Sequence, residues 1–219
     1  MWCIGKLTAE FREQMYQVLE VYNRPYDAAE PVVCLDEKSK QLLEQTRRPL
    51  EAQPGTVAKE DYEYKRAGTR NIFVAVEPKG GQRHVTVTAR RTKVDFVHFV
   101  SHLVECAYAQ ARKIHLVLDN LNTHFRSSFV EVLGDIEATA MLARVEFHHT
   151  PKHASWLNMA EIEIGIMERQ CTGRRIGTEV ALRSEIAAWQ RRRNDAGRTI
   201  QWKFTRQDAD AKLSHHYVS

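Results

Sequence analysis

The sequence has no closely spaced cysteines: Cys3, Cys34, Cys106 and Cys171 stand far apart, with no CxxC pair among them. That excludes a cysteine-based zinc ligand set and a disulfide framework, and reduced thiols in a cytoplasmic protein are the expectation. No uncharged apolar run approaches the roughly 18 residues a membrane span needs. Met1–Lys6 has no basic stretch leading into an apolar segment of the leader type. Internal repeats and low-complexity tracts are absent, and so is GxSxG or any other hydrolase nucleophile motif. There is little excess of charge: 32 Lys and Arg stand against 28 Asp and Glu, a net +4. Such a balance permits a polyanionic partner without demanding one.

What is present is enough apolar material, 43% of 219 residues, to bury the core of one domain. Phe11, Met15, Val18 and Tyr22 share one helical face, and that helix should end before Pro25. Pro31–Leu35 reads as a short strand with Asp36 at its C-terminal end, and residues 37–70 as a long surface excursion. Residues 72–76 and 84–88 alternate as strands joined by the turn chemistry of Pro78-Lys79-Gly80-Gly81. Val97, Val100, Val104 and Ala107 keep helical spacing. Ile114–Leu118 is a buried strand that again ends on an acid, Asp119. A helix over 125–133, a strand over 144–147, a helix carrying Glu161 and a last helix over 180–193 complete an α/β domain with a mixed sheet covered on both faces. In open sheets of this kind, sites form at the carboxyl ends of central strands, where Asp36 and Asp119 are expected.

Oxygen ligands are what a hard dication such as Mg²⁺ takes, and two ions held by Asp36, Asp119 and Glu161 would suit phosphodiester chemistry. Taken one at a time, each acid has a plainer reading. An Asp just past a strand is commonly a turn former or helix cap, and a Glu in a helix is commonly solvated.

The wording around these acids decides between the readings. Cys34-Leu35-Asp36-Glu37-Lys38, then Leu116-Val117-Leu118-Asp119-Asn120-Leu121-Asn122-Thr123-His124, then residues 150–161 from Thr150-Pro151-Lys152-His153 to Asn158-Met159-Ala160-Glu161, resemble the insertion sequence 630 family of bacterial transposases, relatives of the mariner-like elements. The resemblance implies a ribonuclease-H-like fold, with Asp36, Asp119 and Glu161 catalytic and binding two Mg²⁺ ions, for which Mn²⁺ substitutes. It implies hydrolysis of double-stranded DNA at element ends and transfer of the freed 3′-hydroxyl to target DNA. A homodimer on DNA and a nucleoid-associated location follow from the same resemblance. Family members carry an N-terminal helix-turn-helix region that recognises the ends, whereas here a single helix precedes the first catalytic strand. A separate or missing segment would supply that recognition. Ala154 stands where relatives commonly have Gly.

Around the acids, Asn120, Asn122 and His124 are candidates either to orient ligands and phosphates or to close a turn, and Asn158 shares the face of Glu161. Lys152 and His153, in the loop before that helix, and Arg174 and Arg175, after it, are candidate DNA phosphate contacts. His148, His149 and His153 lack HExxH spacing and are not read as a zinc site. Trp156 is expected as a buried anchor of its helix. Glu163 should be rotated away from Glu161, and Glu37 should point to the side of the strand opposite Asp36. The expected organisation is a helical lead-in over 1–30, the catalytic domain over 31–195 and a C-terminal tail over 196–219. Two rival readings are a catalytically inactive, truncated remnant that only binds DNA and an unrelated α/β hydrolase of small substrates.

Overall fold

The computed structural model describes residues 7–47, 50–57, 59 and 61–217; Met1–Lys6, with Cys3, and Arg48 and Pro49 lie outside it. Its first helix, α1 (Ala9–Asn23), starts where the Thr8 side chain accepts the Phe11 amide and buries Met15, Val18, Leu19 and Tyr22. Five strands follow the order β3-β2-β1-β4-β5 in one sheet. These are β1 (Val32–Gln45), β2 (Tyr64–Glu77), β3 (Gln82–Thr88), β4 (Ile114–Leu118) and β5 (Val145–His149). The first three are antiparallel neighbours, and β1, β4 and β5 run parallel.

The first strand is much longer than its apolar run. It continues past Asp36 to Gln45, pairs with β2 along that whole length and shifts register between Gln41 and Leu43. Asp36 is therefore inside a strand, opposite Val74, rather than at a strand end. The expected excursion over 37–70 shrinks accordingly. Polar residues such as Lys38 and Lys40 hid the extension because the outer part of the hairpin buries little besides Leu42.

Alternation along the strands splits the core in two. Val33, Leu35, Phe73, Ala75, Leu116 and Leu118 pack beneath α2 (Lys93–His102), α3 (Arg126–Leu133) and α4 (Asp135–Leu142). Cys34, Val76 and Val117 face α1 and the start of α5 (Met159–Met167), while Ile72 and Val74 face the rest of α5 and α6 (Glu179–Asp195). Gly134, at φ 79°, divides α3, which ends where the helix over 125–133 was expected to end, from α4, which the apolar pattern did not reveal. Residues 196–219, expected as a tail, include α7 (Arg206–Leu213), which joins the α1 side of the core through Ala209 and Leu213 with Trp202 against Tyr22.

The edge strand β3 is closed by side chains of α6. The Asn194 amide exchanges hydrogen bonds with the backbone of Arg83 at 2.9 Å each, and Gln190 accepts from the Val85 amide at 2.7 Å. Such contacts use backbone groups that an open edge would offer to another chain. Beneath them Glu163, fully buried on α5, accepts from Arg193 at 2.8 and 3.1 Å and from the buried Arg83 at 3.1 Å. Burial opposes its charge, but the two guanidiniums prevail and hold its carboxyl below the usual range. Removing one member of such a buried set leaves uncompensated charge. We expect Glu163→Ala to lower unfolding free energy by about 3–5 kcal/mol in urea titration, and a loss under about 1 kcal/mol would contradict the assignment.

Candidate active site

Asp36 and Asp119 lie on the α5 side of the sheet, because Asp36 alternates with Cys34 and Asp119 follows Val117 by two residues. Helix α5 approaches that surface with Glu161 in its first turn. The helix is located by Asn158, a buried cap whose Oδ1 accepts the Ala160 amide at 3.1 Å and whose Nδ2 donates to the Leu35 carbonyl at 2.8 Å. One side chain thus starts the helix and ties it to the residue before Asp36. The Tyr22 hydroxyl supports the same junction by donating to the Leu157 carbonyl at 2.7 Å.

The three acids act on one another electrostatically. Burial, together with the charges of Asp119, Glu37 and Glu161, pushes the Asp36 carboxyl up to about 7, against a lowering hydrogen bond from the Glu37 amide. Their oxygens do not all lie within 4.8 Å of one another, and Glu161 remains exposed at the rim.

Between Asp119 and Glu37 sits His124, fully buried, with Nδ1–H donating to Asp119 Oδ1 and Nε2–H to Glu37 Oε1, each at 2.7 Å. Burial alone would lower its pKa, yet the two carboxylates raise it to about 9, so the ring carries both protons and a charge at neutral pH. Burial also works against the Asp119 carboxylate, but His124, the Leu121 amide and the charges of His124 and Arg91 hold its pKa below the ordinary value. Phe96 covers the imidazole, with ring centroids 4.5 Å apart. Glu37 does point away from Asp36, as strand geometry required. The sequence reading did not connect it to His124, because the link spans separate elements.

Among the other candidates, the Asn120 amide donates to the Thr150 carbonyl and ties the end of β4 to the loop before α5. Asn122, Lys152 and His153 are exposed, and His153 has φ 64°. Ala154 has φ −120°, which any residue adopts, so the loop does not need glycine there. Trp156 is not a buried anchor: it is 37% exposed and meets Phe204 edge to face. Arg174 is exposed and pairs with Glu185 at 2.6 Å. Arg175 is engaged by the carbonyls of Asp61, Tyr62 and Glu63 and lies over the Tyr64 ring, bracing the outer hairpin. The charge of the exposed Arg91 also reaches Asp119. His148 and His149 face different ways: His149 Nε2–H donates to the His124 carbonyl at 3.1 Å, whereas His148 meets His115 on the α1 side.

Residues 31–183 match the family model for the DDE superfamily endonuclease. The chain belongs to this family. Solved structures similar to this DDE endonuclease include the mariner Mos1 paired end complex with Mg, at TM-score 0.59 and 13% identity, covering 100% of this chain and 66% of that one. The Mos1 mariner paired end complex with Mn gives TM-score 0.54 at 14% identity, covering 90% and 61%. The Mos1 strand transfer complex gives 0.55 at 14% identity, covering 87% and 57%. At these identities the likeness concerns the fold, which is ribonuclease-H-like, and the chain spans less than two thirds of each of those chains. Comparison with curated proteins finds no match. No helix among the described residues of this DDE endonuclease is long and apolar enough to cross a membrane.

The His124 pair has a consequence for stability. Its folded pKa of about 9 exceeds the ordinary 6.5, so its contribution is complete below pH 6.5 and disappears as pH rises through 9. In the absence of divalent cations, unfolding free energy should fall over that window by up to about 3 kcal/mol, and His124→Gln should flatten the fall. Urea titrations across pH measure the slope, and an equal slope in the variant would contradict the pairing.

Proposed function

We propose that this DDE endonuclease is the catalytic domain of an insertion sequence 630-type DNA transposase, with Asp36, Asp119 and Glu161 as its catalytic acids. It would cut phosphodiester bonds at element ends and join the freed 3′-hydroxyl to target DNA. The observation that carries this reading is the placement of Asp36 and Asp119, on the neighbouring parallel strands β1 and β4 or just past them, against the first turn of α5 with Glu161, close enough that their charges raise the Asp36 carboxyl. A set of hard oxygen donors in mutual repulsion fits divalent cations. Two Mg²⁺ or Mn²⁺ ions held there would activate the attacking water or 3′-hydroxyl and stabilise the leaving oxygen of an in-line displacement.

The chain's own residues have narrower tasks. Asp36, its carboxyl raised to about 7, takes up a proton more readily than an ordinary carboxyl and would release it when positive charge arrives. His124, fixed at its far nitrogen by Glu37, aims the Asp119 carboxylate, as outer partners commonly do for metal ligands. Asn158 holds the first turn of α5, and therefore Glu161, against β1. Lys152, His153 and Arg91 present exposed basic or polar groups, and Arg174 one paired with Glu185, that would meet DNA phosphates, contacts that position without reading sequence. The similar solved structures are complexes of Mos1 with a transposon end and in strand transfer, which supports double-stranded DNA as partner.

The test is nicking of a short DNA duplex by the purified chain with Mg²⁺ or Mn²⁺, alongside Asp119→Asn at matched folding stability. Metal-dependent nicking should fall by more than about a hundredfold in the variant, since changing even a partner of a metal ligand costs 10–100-fold. Salt-sensitive DNA binding without nicking by either protein would replace this reading with that of a non-enzymatic DNA-binding remnant.

A further inference from the structure

We propose that His115, His148 and Glu146 form a second metal site, for a zinc-type divalent ion, on the α1 side of the sheet and apart from the carboxylates of Asp36 and Asp119. His115 is the second residue of β4 and is paired in register with Glu146 on β5. Their side chains and that of His148 emerge on one face, because Glu146 and His148 alternate along β5. His115 Nδ1 lies 3.0 Å from His148 Nε2 and 3.8 Å from Glu146 Oε2, and His148 Nε2 lies 3.6 Å from Glu146 Oε1. Bonds of about 2.0–2.1 Å in a tetrahedron place neighbouring ligand atoms roughly 3.3 Å apart, inside the range observed. Four residues of strand, about 13 Å, separate His115 from Asp119 along β4.

The surroundings supply what such a site needs. Glu30 Oε2 stands 3.7 Å from His115 Nε2, on the side away from His148, where a carboxylate can take the outer N–H of a ligating imidazole. Glu146 is half-exposed and borders an open depression lined by Gln17, Glu20, Arg24 and His148, which gives an ion a path from solvent and room for a water as fourth ligand. A nitrogen-rich set of two imidazoles and one carboxylate favours zinc-type ions over Mg²⁺, which prefers oxygen alone. One group competes: Arg24 Nη1 lies 2.6 Å from His115 Nε2 and 3.1 Å from Nδ1. Its side chain is 45% exposed and already 3.5 Å from Glu30, so it can turn to that carboxylate as the ion enters. On binding, the imidazole that donates the hydrogen bond between His115 Nδ1 and His148 Nε2 changes tautomer, its proton passing by way of solvent to the outer ring nitrogen, so that both neutral rings turn a lone pair to the ion.

Equilibrium dialysis of the full chain against Zn²⁺, without DNA and with excess Mg²⁺, tests the site, with Asp36→Asn/Asp119→Asn as background so that the other acids do not contribute. One Zn²⁺ per chain is expected, and Co²⁺ in its place should give a tetrahedral-type visible spectrum. His148→Gln and the half-exposed Glu146→Gln should each weaken binding by more than about a hundredfold, and Glu30→Gln by about 10–100-fold. Arg24→Gln should strengthen it by removing the competing charge. Circular dichroism confirms that each variant is folded. Failure of the folded background protein to take up Zn²⁺, or equal uptake by Glu146→Gln and His148→Gln, overturns the proposal. DNA cleavage does not enter the readout, so the result stands apart from the transposase reading.

Discussion

The structure depends most on the buried carboxylate of Glu163. It lies two residues after Glu161 on α5, which is a little over half a helical turn, so the two glutamates point to opposite sides. Arg83 from β3 and Arg193 from α6 hold Glu163 inside, and this fixes the rotation of α5 about its axis. With the rotation fixed, Glu161 is turned to the rim near Asp36. The same arginines join the edge strand and α6 to α5, so the half of the sheet farthest from β5 is organised around one ion set. A buried set of this kind is weak evidence for added stability, because well-packed apolar residues commonly do as well. Its value here lies in orientation: an apolar contact would not select one helix rotation so sharply.

Opposite electrostatic strategies operate on the two sides of β1. On the α5 side, Asp36 has no cationic partner among the described residues, and its neighbours are acids that raise its proton affinity. On the other side, His124 is clamped between Glu37 and Asp119 and kept charged despite complete burial. Asp119 belongs to both arrangements: it repels Asp36 and is neutralised in part by His124. The group is thereby held in place while one carboxyl remains responsive to added positive charge. Lys40 has a separate task, donating to the carbonyls of Thr172 and Arg174 at 2.5 and 2.9 Å and closing the π-helical turn Glu168–Thr172 that continues α5.

Much of this was legible in the sequence. The buried run Ile114–Leu118 ending at Asp119, the hairpin turn at Pro78–Gly81 and the helix around Glu161 all emerge from local periodicity and turn chemistry. Glu163 was separated from Glu161 by helical angle alone, and Glu37 from Asp36 by strand alternation. Where the reading failed, the signal was not local. The polar stretch after Asp36 becomes strand because β2 pairs with it. Residues 196–217 join the core through Trp202, Ala209 and Leu213 meeting α1 nearly the whole chain length away.

The sequence by itself determined the apolar cores of the central strands and of the helices with a clear apolar face, and which acids and polar residues accompany them, because apolar spacing of two or 3.6 residues is written in neighbouring positions. Only the tertiary structure decided that His124 joins Glu37 to Asp119, that Asn158 clamps α5 to Leu35, and that His115 meets His148 and Glu146. Each of these contacts joins side chains from separate elements. Their partners are chosen by strand order and helix rotation, which no short window of sequence encodes.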